Sequence, residues 1–236
     1  LASAAVSALY IVTSDSSVEV AILGGHNTNS EYAGLLRTFL QKNNYTFTEV
    51  DNLLTASIKD ETMFAVLASP QSDYTASEIK VLEDFLKNDG KYGRTLVYLP
   101  SCGQPELPNL EEFLTEWGIE MLPAISYDET EGNYYQYPYW VFAKPAESKY
   151  TEGMNTTEQY FYPMNYRLAR TAFESNGNYS TTKILTTGEN TYGYPIGENV
   201  DKDWKPKDAK YKGQFDIVTL GTYQHLDSAT NVAGES

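Results

Sequence analysis

The sequence predicts an α/β protein whose first half is a parallel sheet layered with helices, and three recurrences of one pattern carry that prediction. Val20-Ala21-Ile22-Leu23 runs straight into Gly24-Gly25-His26-Asn27 and then into the amphipathic stretch Glu31 to Leu40. Met63 to Ala68 leads through Ser69-Pro70-Gln71 toward a second helix, and Thr95 to Leu99 leads through Pro100-Ser101-Cys102-Gly103 toward a third. Strands that are apolar throughout, with helices between them, belong to a parallel sheet covered on both faces.

Taken in order, residues 3 to 13 place Ala5, Leu9 and Val12 on one face and predict a short first helix. From about Ser30, Tyr32, Leu35, Leu36, Phe39 and Leu40 form an apolar stripe at three- and four-residue spacing, the face expected to be buried. Thr46 to Val50 alternates and reads as the second strand. Thr75 and Glu78 have the spacing of a capping box, in which each side chain satisfies an orphaned amide of the other. Ile79, Leu82, Phe85 and Leu86 make the buried face of the helix that follows, and Asp89-Gly90 ends it. Leu110, Phe113, Leu114 and Trp117 repeat the pattern up to Gly118, and Ile119 to Leu122 are placed to start a fifth strand.

After residue 123 helical periodicity disappears. Tyr127, Tyr134, Tyr135, Tyr137, Tyr139, Trp140, Tyr150, Tyr160, Phe161, Tyr162 and Tyr166 crowd a span broken by prolines and glycines. Arg167 to Phe173, Lys183 to Thr187 and Gln214 to Thr222 read as later strands, separated by a long loop from Gly188 to Lys212. The expected division is a parallel α/β domain over 1–123 and a tyrosine-rich, β-containing extension over 124–236, packed on or continuing the same sheet.

Composition narrows the function. With 17 basic and 32 acidic residues the formal charge is −15, which repels nucleic acid and other polyanions. The lysines between Lys202 and Lys212 are diluted by Asp203 and Asp208. One cysteine, Cys102, excludes an internal disulfide framework. No stretch approaches the roughly 18 to 20 apolar residues that cross a bilayer.

In an open parallel sheet, ligands sit at the carboxyl ends of the strands where strand order reverses. That rim would carry Gly25, His26, Asn27, Gln71 and Ser101, either as a crevice for a small molecule or peptide or simply as tight strand-to-helix turns. Gly24-Gly25-His26-Asn27 lacks the third glycine of a dinucleotide fingerprint and the Lys-Ser/Thr of a P-loop. Cys102 with His26 or His225 as base would make a thiol nucleophile, but the turn lacks the flanking glycines of a nucleophile elbow, so an inert thiol is the plainer reading. Two histidines and one cysteine form no usual zinc cage, and Asp128, Glu129 and Glu131 lack the pattern of a calcium loop. No catalytic residue, metal ligand or cofactor is assigned. Tyrosine suits both protein interfaces and sugar stacking, and Trp140, flanked by Tyr139 and Phe142, is the first choice for an exposed platform in the tyrosine-rich half.

Ser7-Ala8-Leu9-Tyr10-Ile11-Val12-Thr13-Ser14, then Val20 to His26, then Leu67-Ala68-Ser69-Pro70-Gln71-Ser72-Asp73-Tyr74-Thr75 with Glu78 and Leu82, resemble the extracytoplasmic domain of gliding-motility-type ABC transporter auxiliary proteins. Asn109-Leu110, Phe113-Leu114, Trp117-Gly118-Ile119 and Ile184-Leu185-Thr186-Thr187 continue the likeness, which is densest over residues 5–120. Asn27-Thr28-Asn29-Ser30 departs from it, because family members commonly carry an acid just after the Gly-His pair. The resemblance implies a three-layer flavodoxin-like or amidotransferase-like parallel sheet with a β-rich carboxyl-terminal extension. It also implies a non-catalytic accessory domain on the extracytoplasmic face of a bacterial membrane, anchored through segments outside this chain. Its partners would be membrane transporter subunits, with a glycan or peptide ligand besides; the alternative functions are a carbohydrate or small-ligand binding module, read from the tyrosine-rich half, and a cysteine hydrolase of amidotransferase-like fold, read from Cys102. Related domains resemble those of intraflagellar transport proteins and some glycan-associated proteins.

Overall fold

The computed structural model describes residues 18–28, 30–154, 167–197, 203–226 and 233–235. The helix expected over residues 3–13, the ring positions Tyr160, Phe161, Tyr162 and Tyr166, and Lys202 lie outside the described residues. The chain divides into two compact units, the first ending at Leu99 and the second running from Pro100 to Glu235.

The first unit holds four parallel strands, β1 (Glu19–Leu23), β2 (Thr46–Val50), β3 (Thr62–Ala68) and β4 (Thr95–Leu99), in the order β2-β1-β3-β4. Helix α1 (Ser30–Lys42) connects β1 to β2, and α2 (Ala76–Lys87) connects β3 to β4. Val20, Ile22, Val66 and Leu40 form a core cluster against which Leu36, Tyr45, Phe47 and Val97 pack. Ala21, Leu23, Ala65 and Leu67 point the other way and are equally buried, so β1 and β3 are covered on both faces.

The stripe expected on α1 is split by the structure. Ala33 and Leu40 are buried and Leu36 packs on the core, whereas Leu35 is 65% and Phe39 is 58% exposed. At 100° per residue Leu36 and Leu40 share a face, and Leu35 and Phe39 fall one position round from it. Helix α2 forms as its signals predict: Thr75 accepts the Glu78 amide at 3.3 Å, Glu78 accepts the Thr75 amide at 2.8 Å, and Leu82, Phe85 and Leu86 are buried. Asn88, Asp89 and Gly90 then take successive positive φ values and end it.

The second unit contains α3 (Pro108–Glu116) and an antiparallel sheet of eight strands. These are β5 (Ile119–Tyr127), β6 (Lys144–Pro145), β7 (Arg167–Thr171), β8 (Ser175–Asn176), β9 (Tyr179–Thr186), β10 (Tyr192–Pro195), β11 (Asp216–Leu226) and β12 (Ala233–Glu235). The order is β10-β5-β7-β11-β9-β6, with β12 on β11 and β8 on β9. Leu122, Ala124, Leu168 and Phe215 form a core cluster with Tyr211 against it.

This arrangement overturns the expected three-layer flavodoxin-like or amidotransferase-like sheet. The parallel sheet stops at four strands, and the segment expected as its fifth, β5, pairs antiparallel with β7 and β10 in a separate and larger sheet. Only three α-helices occur among the described residues, so the protein is β-rich. A parallel return needs a crossover of a dozen or so residues, usually a helix. Beyond α3 the described residues contain none, only a 3₁₀ turn at Pro206–Asp208, and short turns or loops can close only antiparallel neighbours. The change of texture at residue 123 falls inside β5, where Pro123 sits at a register irregularity between Met121 and Ile125.

Candidate functional site

In the first unit the strand-end rim is built by two turns that bond to each other. Gly25, His26 and Asn27 take φ values of 72°, 48° and 52°, a left-handed run that turns the chain sharply after β1. A side chain on Gly25 would stand 2.6 Å from the carbonyl oxygen of Asp51, so glycine is required by space as well as by φ. The His26 carbonyl accepts the amides of Gln71 at 2.8 Å and Ser72 at 3.1 Å, which fastens the turn after β1 to the turn after β3. Gln71 Nε2 donates to the carbonyl and hydroxyl oxygens of Ser69, at 2.9 and 3.0 Å.

His26 is committed to helix α2. Its Nε2 donates to Glu78 Oε1 at 2.9 Å, and its ring stacks on Tyr74 with centroids 3.9 Å apart. Burial of the Glu78 carboxyl pushes its pKa up, but bonds from the Thr75 amide, the Thr75 hydroxyl and His26 outweigh that and hold it below its ordinary value. Burial, reinforced by the Glu78 charge, pushes the Tyr74 phenol well above its ordinary value. The strand-order reversal does lie between β1 and β3, yet the side chains there satisfy one another. Asn27 is exposed beside them.

Ser101, expected on the same rim, belongs to the second unit and is buried, and Cys102 beside it is half-buried. Among the described residues no cluster of three or more His, Cys, Asp or Glu side chains is placed to hold a metal ion. No helix among them is long and apolar enough to cross a membrane.

Trp140 lies on a hairpin of the second unit that holds the tyrosine crowd in a defined shape. Asp128 is fully buried; its carboxylate accepts the Thr130 amide at 2.8 Å and Asn133 Nδ2 at 3.0 Å, and its amide donates to the Pro138 carbonyl at 2.9 Å. The hairpin closes through Tyr135 N to Trp140 O at 2.9 Å and Phe142 N to Asn133 O at 2.8 Å. On one side Tyr139 meets Tyr127 and Tyr194 edge-on at 5.1 and 5.3 Å, and Trp204 meets Tyr127 and Tyr194 at 5.2 and 4.8 Å. These centroid distances are those of packed rings, with no space for a ligand between them. Burial pushes the Tyr127 phenol up, and its bond to Glu129 adds to the effect.

A second ring group on the hairpin is more exposed. Tyr135 and Trp140 lie 13° from parallel with centroids 6.2 Å apart, and Tyr137 stands edge-on to Trp140 at 5.0 Å. Trp140 is half-buried, while Tyr135 is 42% and Tyr137 is 57% exposed. The sequence points to Trp140 but not to its two ring partners among the ten other rings of the crowd; the hairpin, which puts Tyr135 across from Trp140 and Tyr137 in the loop between them, brings them together. The link from His26 to Glu78 spans 52 residues, and no local spacing announces it.

No family model matches the sequence, and no curated protein matches it. Among solved structures the chain is similar to one described as "mmIFT52 N-terminal domain", with a TM-score of 0.55 and 16% identity, over 75% of this chain and 77% of that one. At that identity the likeness is one of fold.

Proposed function

We propose that this chain is a recognition domain that works by contact and not by turnover, as an extracytoplasmic accessory part of an ABC-type membrane transport system. The observation that carries recognition is the exposure of Tyr135 and Tyr137 beside Trp140 on a hairpin whose Tyr139 packs with Tyr127 and Tyr194. Rigid aromatic side chains contribute contact area at low entropic cost, which is why they dominate binding hot spots. The absence of turnover is supported by the rim: His26, Glu78, Gln71 and Ser69 bond one another. The transport setting rests on the sequence resemblance quoted above, and the likeness to the mmIFT52 N-terminal domain adds a fold and no partner.

The test is purification of the full-length protein from its own membranes. An ATP-hydrolysing transporter subunit should accompany the wild type, and the triple variant Tyr135→Ala, Tyr137→Ala, Trp140→Ala should lose it while melting within a few degrees of wild type. Recovery of the protein free of any transporter subunit ends the transport reading.

Carbohydrate or small-ligand binding is the second reading, favoured by the near-parallel Tyr135 and Trp140 pair, which presents a flat surface of the kind sugar rings stack on. A glycan panel that shows binding by the wild type and none by the triple variant would select it over a protein contact.

A further inference from the structure

Strand β4 ends the parallel sheet, and its outer edge has the hydrogen-bonding chemistry to take one more strand. The Leu99 carbonyl accepts the Ser69 amide at 2.9 Å, so Thr95, Val97 and Leu99 direct their backbone groups to β3, and Leu96 and Tyr98 direct theirs outward. Neither the amide nor the carbonyl of Leu96 has a hydrogen-bond partner among the described residues. We propose that this edge binds an extended segment of a partner protein, uncharged and rich in β-branched residues where it pairs and basic at its flanks, which adds to the sheet as a strand beside β4.

A comparison of the four strands at the ends of the two sheet orders singles out β4. Strand β2 carries Glu49, bound by Arg37 through both carboxylate oxygens at 2.7 and 2.9 Å. Strand β6 is two residues long and consists of Lys144 and Pro145. Strand β10 contains Gly193 and Pro195, and the Gly193 amide already donates to the Tyr211 carbonyl at 2.9 Å. Charge, brevity, proline and a covering chain are the ways in which folded proteins keep a sheet edge from pairing. β4 has none of the first three: Thr95-Leu96-Val97-Tyr98-Leu99 runs five residues without a charge, a proline or a glycine and keeps a regular register with β3. Its residues favour strands, and an edge of this kind is a template for an added one.

Unpaired backbone groups specify an extended chain, and the side chains around them specify its composition. Leu99 is 39% exposed, and Phe64, which lies on the same face of the sheet, is 36% exposed. β-Branched side chains on an added strand would find cross-strand neighbours there. A charge of −15 on each chain opposes the pairing of two copies through this edge, and the same field draws a segment with basic flanks.

The 236-residue chain, labelled with ¹⁵N, is titrated with the capped peptide Lys-Thr-Val-Thr-Val-Thr-Val-Lys, with the same peptide methylated on its six central amides, and with a version that has Glu in place of both Lys. In the free chain the Leu96 amide should exchange rapidly with solvent. The first peptide should protect it and give saturable shifts across Thr95 to Leu99, the methylated one should give neither, and the Glu-flanked one should bind more weakly. Leu96→Pro removes an amide that points outward, and Leu99→Lys places a guarding charge on the edge; each should weaken binding about tenfold while the Tm stays within a few degrees of wild type. Leu99→Lys keeps the test decisive if proline at position 96 disturbs the fold. Slow exchange at Leu96 in the free chain would mean that the edge is already covered, and a dimer in sedimentation that Leu99→Lys dissolves would assign it to a second copy; either overturns the proposal. So does the lack of protection at about 1 mM peptide, or equal binding of the methylated or the Glu-flanked peptide. The β4 edge and the aromatic hairpin share no residue, so a silent edge leaves recognition through the hairpin unaffected.

Discussion

Glu78 serves two elements at once: one carboxylate oxygen closes the capping box of α2 on Thr75, and the other, 2.9 Å from His26 Nε2, holds the glycine turn that follows β1. A side chain expected from spacing to finish one helix therefore also clamps a turn 52 residues away. The candidate histidine of the rim is a structural partner of that cap.

Stability should record this in acid. The folded Glu78 carboxyl titrates below its usual value of 4.5, so its contribution is complete above that value and is lost as pH falls through the folded one. Glu78→Gln keeps an acceptor for the Thr75 amide and removes the charge. The stability difference between wild type and variant, about 1 kcal/mol near neutrality, should shrink as pH falls below 4.5. Urea unfolding at several pH values measures it, and a constant difference would refute the role of the charge.

Arg167 is fully buried and donates to Glu111 and to the carbonyls of Leu122 and Pro105, tying the first turn of α3 to β5. Arg167→Met should cost about 3–5 kcal/mol, because it strands the partly buried Glu111 carboxylate. Adding Glu111→Leu should recover a substantial part of that loss. Denaturant midpoints of the two singles and the double close the cycle, and strict additivity would show that the pair is not coupled.

Gly118 and Gly90 have nearly the same φ, +84° and +83°, but different surroundings. A Cβ on Gly118 would collide with the Thr181 hydroxyl and sit 3.1 Å from the Phe173 ring, whereas one on Gly90 meets nothing within 4 Å. Gly90→Ala should cost about 1 kcal/mol for the left-handed φ, and Gly118→Ala at least about 2 kcal/mol. Equal losses in thermal unfolding would mean that space at Gly118 plays no part.

The facing of α1 is testable in the same way. Leu40→Ala should cost about 2–5 kcal/mol, and Leu35→Lys or Phe39→Lys should stay within about 0.5 kcal/mol of wild type. A large loss at Phe39 would place the buried face where the bare periodicity puts it.

Several elements were legible without coordinates because their signals are local. The apolar runs of β1, β3 and β4, the alternation of β2, the Thr75 and Glu78 cap, and the glycine that ends α3 each follow from residues within a few positions of one another. Which apolar residues of α1 turn inward was not legible, since Leu35 and Leu36 fit a helical stripe equally and only contact with Val20, Ile22 and Val66 separates them. The partner of His26 and the ring pair of Trp140 were hidden for the same reason: each is a contact between segments, and spacing along the chain does not encode it.

By itself the sequence determined where α2 begins and ends, and that helical periodicity stops after residue 123, where prolines, glycines and clustered tyrosines break it. Only the tertiary structure decided that β5 leaves the parallel sheet for an antiparallel one. Strand direction is set by the path of the connecting chain and by which edge is free to pair, and a run such as Ile119 to Leu122 has the same alternation of side chains in either direction.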